Sequence, residues 1–209
     1  IKPTNDLVAF FTFVSFFPQL VAGPIERAKR LLPQFENQRK FKYIQASSGA
    51  KLIIMGLFKK MVIADNAARL VDVVFNDPTS YSGFPIIVAI IFFAFQIYCD
   101  FSGYSDIAVG IAKIMGFELI NNFNKPYFAI SLSDFWTRWH ISLSMWFKDY
   151  VYIPLGGSKI SNFRTSINTI ITFAISGLWH GANWTFVIWG LVHGLILIFE
   201  RFINRLKRN

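Results

Sequence analysis

Charged residues are scarce in this sequence, and cysteine is almost absent. Only 16% of the 209 residues are charged, against about 25% in soluble domains. The single cysteine, Cys99, excludes an intrachain disulfide framework and a thiolate metal site. Apolar residues make up 54% of the chain. This composition excludes a disordered chain and an ordinary nucleic-acid-binding protein.

Three long stretches contain no Asp, Glu, Lys or Arg: residues 7–25, 78–99 and 165–199. A helix that crosses a bilayer needs about 20 mostly apolar residues, so the sequence predicts an all-α, polytopic integral membrane protein. As one helix, the third stretch would be about 52 Å long, well beyond a hydrocarbon core about 30 Å thick. We therefore expect a break at residues 177–184, where two glycines flank His180.

The net charge of +9 has two interpretations. Lys and Arg collect in residues 26–42 and 201–208, beside apolar spans. Such basic segments mark the cytoplasmic side of a membrane, and this interpretation is favoured over a nucleic-acid-binding patch. The sequence begins Ile-Lys-Pro without an initiator Met or the features of a signal peptide, so we expect a fragment of a longer membrane protein.

Charged residues interrupt the apolar pattern of the middle region. We expect a span over 84–99 to run into a polar motif at 100–106, after which a second apolar helix continues to about Leu119. On that helix Asp106, Gly110 and Lys113 share one face. Ionisable residues within a span face protein or a wet cavity, so Asp106 and Lys113 belong either to a structural ion pair between helices or to a functional site.

An amphipathic helix rich in tryptophan is predicted over residues 132–151. Ser131 and Asp134 fit a capping box at its start. Large residues then recur at helical spacing: Trp136, Trp139, His140, Leu143 and Phe147. A helix of this kind is typical of an interfacial or re-entrant segment.

Histidines are the best candidates for chemistry. The chain has three, His140, His180 and His193, and an imidazole can take a proton from a hydroxyl that attacks an acyl carbon. His140 and His180 near one tunnel would suit acyl transfer, whereas His193 lies on an ordinary-looking apolar helix. Because irregular backbone at membrane depth lines protein or a watery cavity, His180 is predicted to point into such a cavity. The alternative for each is a hydrogen-bonded structural histidine.

Several other chemistries lack their sequence patterns. No H-x-x-x-H or H-E-x-x-H pair occurs, so we expect no metal site. The chain also lacks a phosphate-binding glycine loop and a G-x-S-x-G elbow.

The longer motifs strongly resemble the membrane-bound O-acyltransferase family. They are QIYCDFSGYSD at 96–106, NKPY at 124–127, DFWTRWHISLS at 134–144 and GLWHGA at 177–182. The stretches LVAGPIER at 20–27 and PLGG at 154–157 are similar to the bacterial branch that contains the alginate O-acetyltransferase membrane subunit. The resemblance covers nearly the whole chain, with the motifs in the family's order.

This resemblance implies a single membrane domain over residues 1–209, with helices around a tunnel and further N-terminal helices outside this chain. His180 of the W-H-G motif corresponds to the family's catalytic histidine, and His140 of the R-W-H motif to a second polar site residue. We expect His180 to act as general base. His140 would orient the donor or stabilise the oxyanion, supported by Arg138 and Trp139.

Four further residues are expected to bind substrate or line the tunnel: Asp100, Asp134, Trp136 and Asn183. Either carboxylate would orient an imidazole or fix a helix end, and capping alone suffices for Asp134. Anchoring at the membrane interface explains Trp136 equally well.

The implied activity is transfer of an acetyl or short acyl group to hydroxyls of an exported polysaccharide such as alginate. No bound cofactor is expected, and the donor is a thioester co-substrate, acetyl-CoA or an acyl carrier. The expected partners are the lipid bilayer, the polysaccharide acceptor and an extracytoplasmic polysaccharide-modifying protein, without nucleic acid, in a multi-pass protein of the bacterial inner membrane. The alternatives are D-alanyl transfer to teichoic acid, a transporter with a histidine proton relay, and a non-enzymatic scaffold.

Overall fold

Helices form the regular secondary structure of residues 6–207, the part of the chain that the computed structural model describes, and no β-strand occurs there. The predicted all-α class is therefore confirmed. The chain forms two compact units, one ending at Asn121 and the other beginning at Asn122.

The first unit contains five of the α-helices. Their bounds are α1 Leu7–Ser15, α2 Ala28–Glu36, α3 Tyr43–Leu57, α4 Asp65–Phe75 and α5 Phe84–Ile114. Short 3₁₀ turns lie at Phe17–Gln19 and Pro78–Ser80, and a π-helical segment, Phe58–Ala64, joins α3 to α4.

Helix α5 continues through the polar motif at 100–106 without a break, so the prediction of two separate helices in this region is wrong. Glycine inside a helix costs about 1 kcal/mol relative to alanine, but Gly103 makes a packing contact that only glycine permits. A Cβ on Gly103 would lie 2.7 Å from the carbonyl oxygen of Gly56 on α3. Gly110 meets Gly49 in the same way, so these glycines mark a close helix–helix contact.

Ion pairs link α5 to the π-helical segment. Lys59 Nζ lies 2.7 Å from Asp106 Oδ2, and Lys60 Nζ lies 2.5 Å from Asp100 Oδ1. Of the two interpretations of Asp106, this geometry favours the structural ion pair between helices, with Lys59 and not Lys113 as the partner. Charges on apolar helices are costly unless they are paired, so these pairs fix the register of α5 against its neighbour.

A cluster of phenylalanine rings attaches the N-terminal helices to the end of α5. The ring centroids of Phe16, Phe35 and Phe117 lie 4.8–5.3 Å apart. Such aromatic pairs stabilise by about 0.5–1.5 kcal/mol beyond the burial of their area. The buried residues of this core are Phe16, Leu31, Val109, Ala112, Phe117 and Leu119.

The second unit begins with a broken helix. Ser131 Oγ accepts a hydrogen bond from the Asp134 N–H at 3.0 Å, which confirms the predicted N-cap. A single helix over 132–151 is wrong, however, because α6 ends at Arg138 and His140 adopts the left-handed conformation. The remaining elements are a 3₁₀ turn at Pro126–Phe128, α6 Leu132–Arg138, α7 Ile141–Phe147, a π-helical segment at Lys148–Tyr152, α8 Asn162–His180 and α9 Trp184–Leu206.

Helices α8 and α9 form a closely packed hairpin. Residues 181–183 are not helical and separate α8 from α9. This confirms the predicted interruption of the long apolar stretch. A Cβ on Gly177 would overlap the carbonyl oxygen of Phe186, and one on Gly190 would overlap that of Phe173. The two backbones therefore touch at these glycines, as small residues allow in membrane helix pairs.

Two of the described helices, α5 and α9, have the length and apolar composition needed to cross a membrane. With 31 and 23 residues, each exceeds the roughly 20 residues that a spanning helix requires. These helices agree with the membrane character predicted from the charge-free stretches.

The contact between α3 and α5 gives a first prediction. Replacing Gly103 by Leu forces a side chain against the Gly56 backbone, and we expect a loss of about 1–3 kcal/mol in unfolding free energy. Ile90→Leu is the matched control, because Ile90 is 55% exposed on the same helix. Melting temperatures of the purified protein in detergent compare the two, and a Gly103→Leu variant that melts with the control would contradict the packing assignment.

Candidate active site

Tryptophan rings connect the three histidines of the chain into one group. Trp179 lies between His140 and His180, with ring centroids 6.3 and 5.1 Å away. Trp189 in turn lies between His180 and His193, at 5.2 and 4.6 Å. We call these five residues the histidine–tryptophan cluster. It contains His140 and His180, which were expected to carry chemistry, and also His193, which was expected to lie on an ordinary apolar helix.

Two interruptions of the helical backbone supply two of these histidines. His140 occupies the break between α6 and α7, whereas His180 is the last residue of α8. His193 comes from the interior of α9. The cluster therefore depends on the hairpin between α8 and α9 and on the return of the broken helix to it.

Burial changes the acid–base behaviour of His140. His140 is only 6% exposed. The loss of hydration lowers the pKa of His140 to about 4, and the charge of His180 makes a smaller contribution in the same direction. His140 is therefore neutral at pH 7. A neutral imidazole donates one hydrogen bond and accepts another, which suits it to act as a base or to orient a polar substrate.

A cavity of about 700 Å³ lies in the same unit. Trp136 lines this cavity, and its ring also contacts His193 and Trp189, with centroids 5.4 and 5.9 Å away. The cavity and the histidine–tryptophan cluster thus share a wall. Ligand pockets of this size combine apolar walls with a few placed polar groups, and this cavity has both.

Hydroxyl groups form a polar face along α8. Residues 165, 169, 172, 176 and 180 follow helical spacing and lie on one side of the helix. Thr169, Thr172 and Ser176 are buried and line the cavity. From Thr169 to His180 the helix rises about 16 Å. The polar face therefore runs from deep in the cavity to the histidine at the end of the helix.

Positive charge collects at the opposite end of the cavity from the histidines. Arg201 Nη2 donates to Thr169 Oγ1 at 3.3 Å, and Arg205 Nη2 donates to Asn162 Oδ1 at 2.6 Å. Lys148 and Glu200 also line this region. Three cations face one carboxylate, so this end of the cavity suits an anionic group such as a phosphate.

The predicted enclosure of His180 differs from what the structure shows. His180 is exposed and does not line the 700 Å³ cavity, since Ser176 is the last α8 residue to do so. The physical reason is that α8 ends at His180, one turn beyond the cavity wall. The ring neighbours of His180 are Trp179 and Trp189 of the cluster, together with Phe186.

Three other predicted site residues, Asp134, Arg138 and Trp139, lie on α6 and at its C-terminal end. Arg138 Nε lies 2.7 Å from Asp134 Oδ1, and this guanidinium lowers the pKa of Asp134. The ring of Trp139 packs against Phe135 and Phe123, at 5.6 and 5.0 Å. These contacts shape the α6 segment and the turn that follows it.

Two predicted residues have structural partners of their own. Asn183 Oδ1 accepts a hydrogen bond from the Thr185 N–H at 3.0 Å and so caps α9. Asp100 belongs to the first unit, where it pairs with Lys60. Within residues 6–207 no three His, Cys, Asp or Glu side chains gather in a way that could hold a metal ion.

Sequence reasoning missed His193, Trp179, Trp189 and the cationic end of the cavity. The hydroxyl spacing on α8 was a usable signal, because four Thr and Ser residues recur at helical spacing within the charge-free stretch 165–199 and so imply a polar face toward protein. No local pattern could have found the contact of His193 with Trp136, since these residues are brought together only by the packing of α6 on α9.

Comparison with known proteins identifies the family. The membrane-bound O-acyltransferase family model matches residues 3–209, and the chain belongs to this family. It is 46% identical over 206 residues to the peptidoglycan O-acetyltransferase of Helicobacter pylori, covering 98% of this chain and 39% of that protein.

Two further relatives broaden the comparison. The probable alginate O-acetylase AlgI of Pseudomonas aeruginosa is 46% identical over 198 residues, which are 95% of this chain and 38% of that protein. The teichoic acid D-alanyltransferase of Bacillus subtilis is 30% identical over 216 residues, covering 98% of this chain and 54% of that protein. The chain thus spans about two fifths of the length of the O-acetylating relatives.

The lowered pKa of His140 gives a second prediction. A histidine whose pKa falls from 6.5 to about 4 on folding contributes stability above pH 6.5 that is lost as the pH falls toward 4, because the unfolded chain binds the proton more readily. The maximum contribution is about 3 kcal/mol. His140→Asn cannot titrate, and Asn tolerates the left-handed backbone.

The measurement compares melting temperatures in detergent from pH 7 to 4. The wild type should lose more stability over this range than His140→Asn does. Parallel curves for the two proteins would show that His140 does not titrate with a lowered pKa.

Proposed function

We propose that the protein containing this chain is a membrane O-acetyltransferase that esterifies hydroxyls of an exported polysaccharide. The observation that carries this proposal is the histidine–tryptophan cluster beside a cavity with a cationic end, in a chain of the membrane-bound O-acyltransferase family. The relatives named for O-acetylation are 46% identical to this chain. The D-alanyltransferase relative is 30% identical, and D-alanyl transfer to teichoic acid is the second candidate.

His180 is the general base in this mechanism. Its neutral imidazole takes the proton of the acceptor hydroxyl as that oxygen attacks the thioester carbonyl carbon. A C–O bond forms, the resulting oxyanion is stabilised by a hydrogen-bond donor, and the C–S bond then breaks. His180 gives its proton to the leaving sulfur, so that the products are the ester and a thiol.

His140 orients the donor or stabilises the oxyanion. Because burial keeps its imidazole neutral, one ring nitrogen carries a proton for donation and the other accepts. Trp179 lies between the two histidines, and His140 itself is buried from water. A low-polarity surrounding strengthens the hydrogen bonds made to the reacting group.

The donor is a thioester, acetyl-CoA or an acyl carrier. Its phosphate groups bind the cationic end of the cavity, where Lys148, Arg201 and Arg205 supply charge-assisted donors. Its acyl end reaches along the polar face of α8 toward His180. Helices of the longer protein complete a tunnel around this path.

The membrane arrangement follows from the charges. Arg201 and Arg205 lie at the basic end of α9, and basic flanks mark the cytoplasmic side of a bacterial inner membrane. The donor therefore enters from the cytoplasm in this multi-pass protein. The acetyl group then passes to the polymer with the help of an extracytoplasmic polysaccharide-modifying partner.

Replacing His180 by Ala tests the central assignment. General-base catalysis contributes about 10²–10⁴-fold in rate, so the acetyl ester content of the exported polysaccharide should fall by at least about 100-fold with the full-length protein. Ile175→Ala, at a residue 41% exposed on the same helix, is the control and should acetylate normally. Both variants are compared at matched abundance in membranes.

Full acetylation by His180→Ala would refute its catalytic role. Loss of D-alanine esters from teichoic acid, with polysaccharide acetylation unchanged, would favour the second candidate. Proton flux in liposomes without any acyl donor would instead favour a transporter.

The cationic end of the cavity gives a prediction about the donor. Charge-assisted hydrogen bonds contribute about 1.5–3 kcal/mol, so Arg201→Gln should raise the KM for acetyl-CoA by roughly tenfold or more while kcat changes little. Arg164→Gln is the matched control, because Arg164 is exposed on α8 and does not line the cavity. Equal KM values for the two variants in membrane preparations would exclude donor binding at this end.

A further inference from the structure

His140 adopts a backbone conformation that its side chain disfavours. Its φ and ψ angles are 42° and 54°, and Lys125 is the other non-glycine residue with positive φ within residues 6–207. The left-handed region crowds the Cβ of an L-residue against the backbone. Such a conformation persists only where surrounding contacts hold it, and it is found at functional sites more often than elsewhere.

Asn122 supplies contacts on the C-terminal side of His140. The carbonyl oxygen of Asn122 accepts the Ile141 N–H at 3.0 Å. Its side-chain oxygen, Oδ1, accepts the Ser142 hydroxyl at 2.6 Å and the Ser142 N–H at 3.3 Å. Asn122 is 1% exposed and Ser142 is fully buried, so water does not compete for these hydrogen bonds.

The same segment also holds the N-terminal side of His140. The Asn124 N–H donates to the Arg138 carbonyl at 2.9 Å. Residues 122–124 therefore bind the chain just before and just after His140. Hydrogen bonds thus hold both flanks of the left-handed turn that connects α6 to α7, and the imidazole at this turn lies 6.3 Å from the Trp179 ring.

We propose that Asn122 is a positioning residue for His140: its side chain holds Ser142, and through it the turn that directs the His140 imidazole into the histidine–tryptophan cluster. This inference rests on the role of His140 in the proposed function. Asn122 acts on His140 through the two residues that follow it, Ile141 and Ser142.

The chain provides a matched control. Asn168 is fully buried in the same unit, and its side chain also makes two hydrogen bonds, to the carbonyls of Leu155 and Gly157 at 3.0 and 3.2 Å. Those bonds hold the loop before α8 and do not involve His140. Replacing Asn168 by Ala removes a similar buried amide without disturbing the turn at His140.

The experiment measures the initial rate of polysaccharide acetylation in cells that express the full-length protein at matched membrane abundance. Asn122→Ala and Asn168→Ala are each made alone and together with His140→Ala. A catalytic group displaced by about 1 Å loses up to about 100-fold in rate, so we expect Asn122→Ala to cost at least tenfold in the wild-type background. In the His140→Ala background it should cost less than about twofold, since the group it positions is already gone.

The control decides between positioning and general destabilisation. Asn168→Ala should change the rate by the same factor in both backgrounds. If Asn122→Ala does the same, or keeps the wild-type rate, the proposal is wrong. If His140→Ala itself acetylates at the full rate, the role of His140 in the proposed function fails, and this result is distinct from a failure of Asn122 alone.

A second readout covers the case in which His140→Ala has no measurable rate. In membranes with acetyl-CoA, Asn122→Ala should lower kcat at least tenfold with KM within about twofold, and Asn122→Asp, which keeps the acceptor oxygen, should recover part of kcat. A rise in KM alone, or no recovery by Asn122→Asp, would overturn the proposal. If Asn122→Ala does not accumulate in membranes, Ser142→Ala removes the shorter hydrogen bond and is measured in the same way.

Discussion

Satisfaction of polar groups inside apolar surroundings is the constraint on which the rest of this structure depends. In a membrane, water cannot hydrate an unpaired backbone group or charge, so each needs a partner within the protein. Thr169 and Thr172 donate their hydroxyls to carbonyls one turn earlier on α8. The charges of the first unit obey the same rule, since Lys59 meets Asp106 across two helices.

The same constraint explains where the histidines of the candidate site lie. Helical backbone satisfies its own hydrogen bonds, and only an interruption needs side chains to replace them. Two histidines sit at such interruptions, His140 between α6 and α7 and His180 at the end of α8. An asparagine supports each one: Asn122 binds the residues after His140, and Asn183 caps the helix that follows His180. The two histidines and the asparagines that support them therefore lie at the same departures from regular helix.

The site separates two physical tasks. Within the histidine–tryptophan cluster, burial keeps the His140 imidazole neutral and strengthens its hydrogen bonds, whereas His180 is exposed. The far end of the cavity offers cations, which can make charge-assisted hydrogen bonds to an anionic group. The polar face of α8 connects the two over about 16 Å. In the proposed mechanism, binding energy gained at the charged end holds the donor while its acyl group reacts at the histidines.

The sequence by itself determined the features that depend on local composition. Charge-free stretches predicted the all-α class, the excessive length of residues 165–199 predicted the break after α8, and Ser131 predicted the start of α6. Tertiary structure alone decided the continuity of α5, the turn at His140 and the place of His193 in the cluster. Each of these depends on partners distant in sequence: Gly56 for Gly103, Asn122 for the residues after His140, and Trp136 for His193. The local sequence indicates the free-energy cost of a backbone conformation, such as glycine within a helix or a left-handed histidine. Contacts between distant segments decide whether that cost is offset.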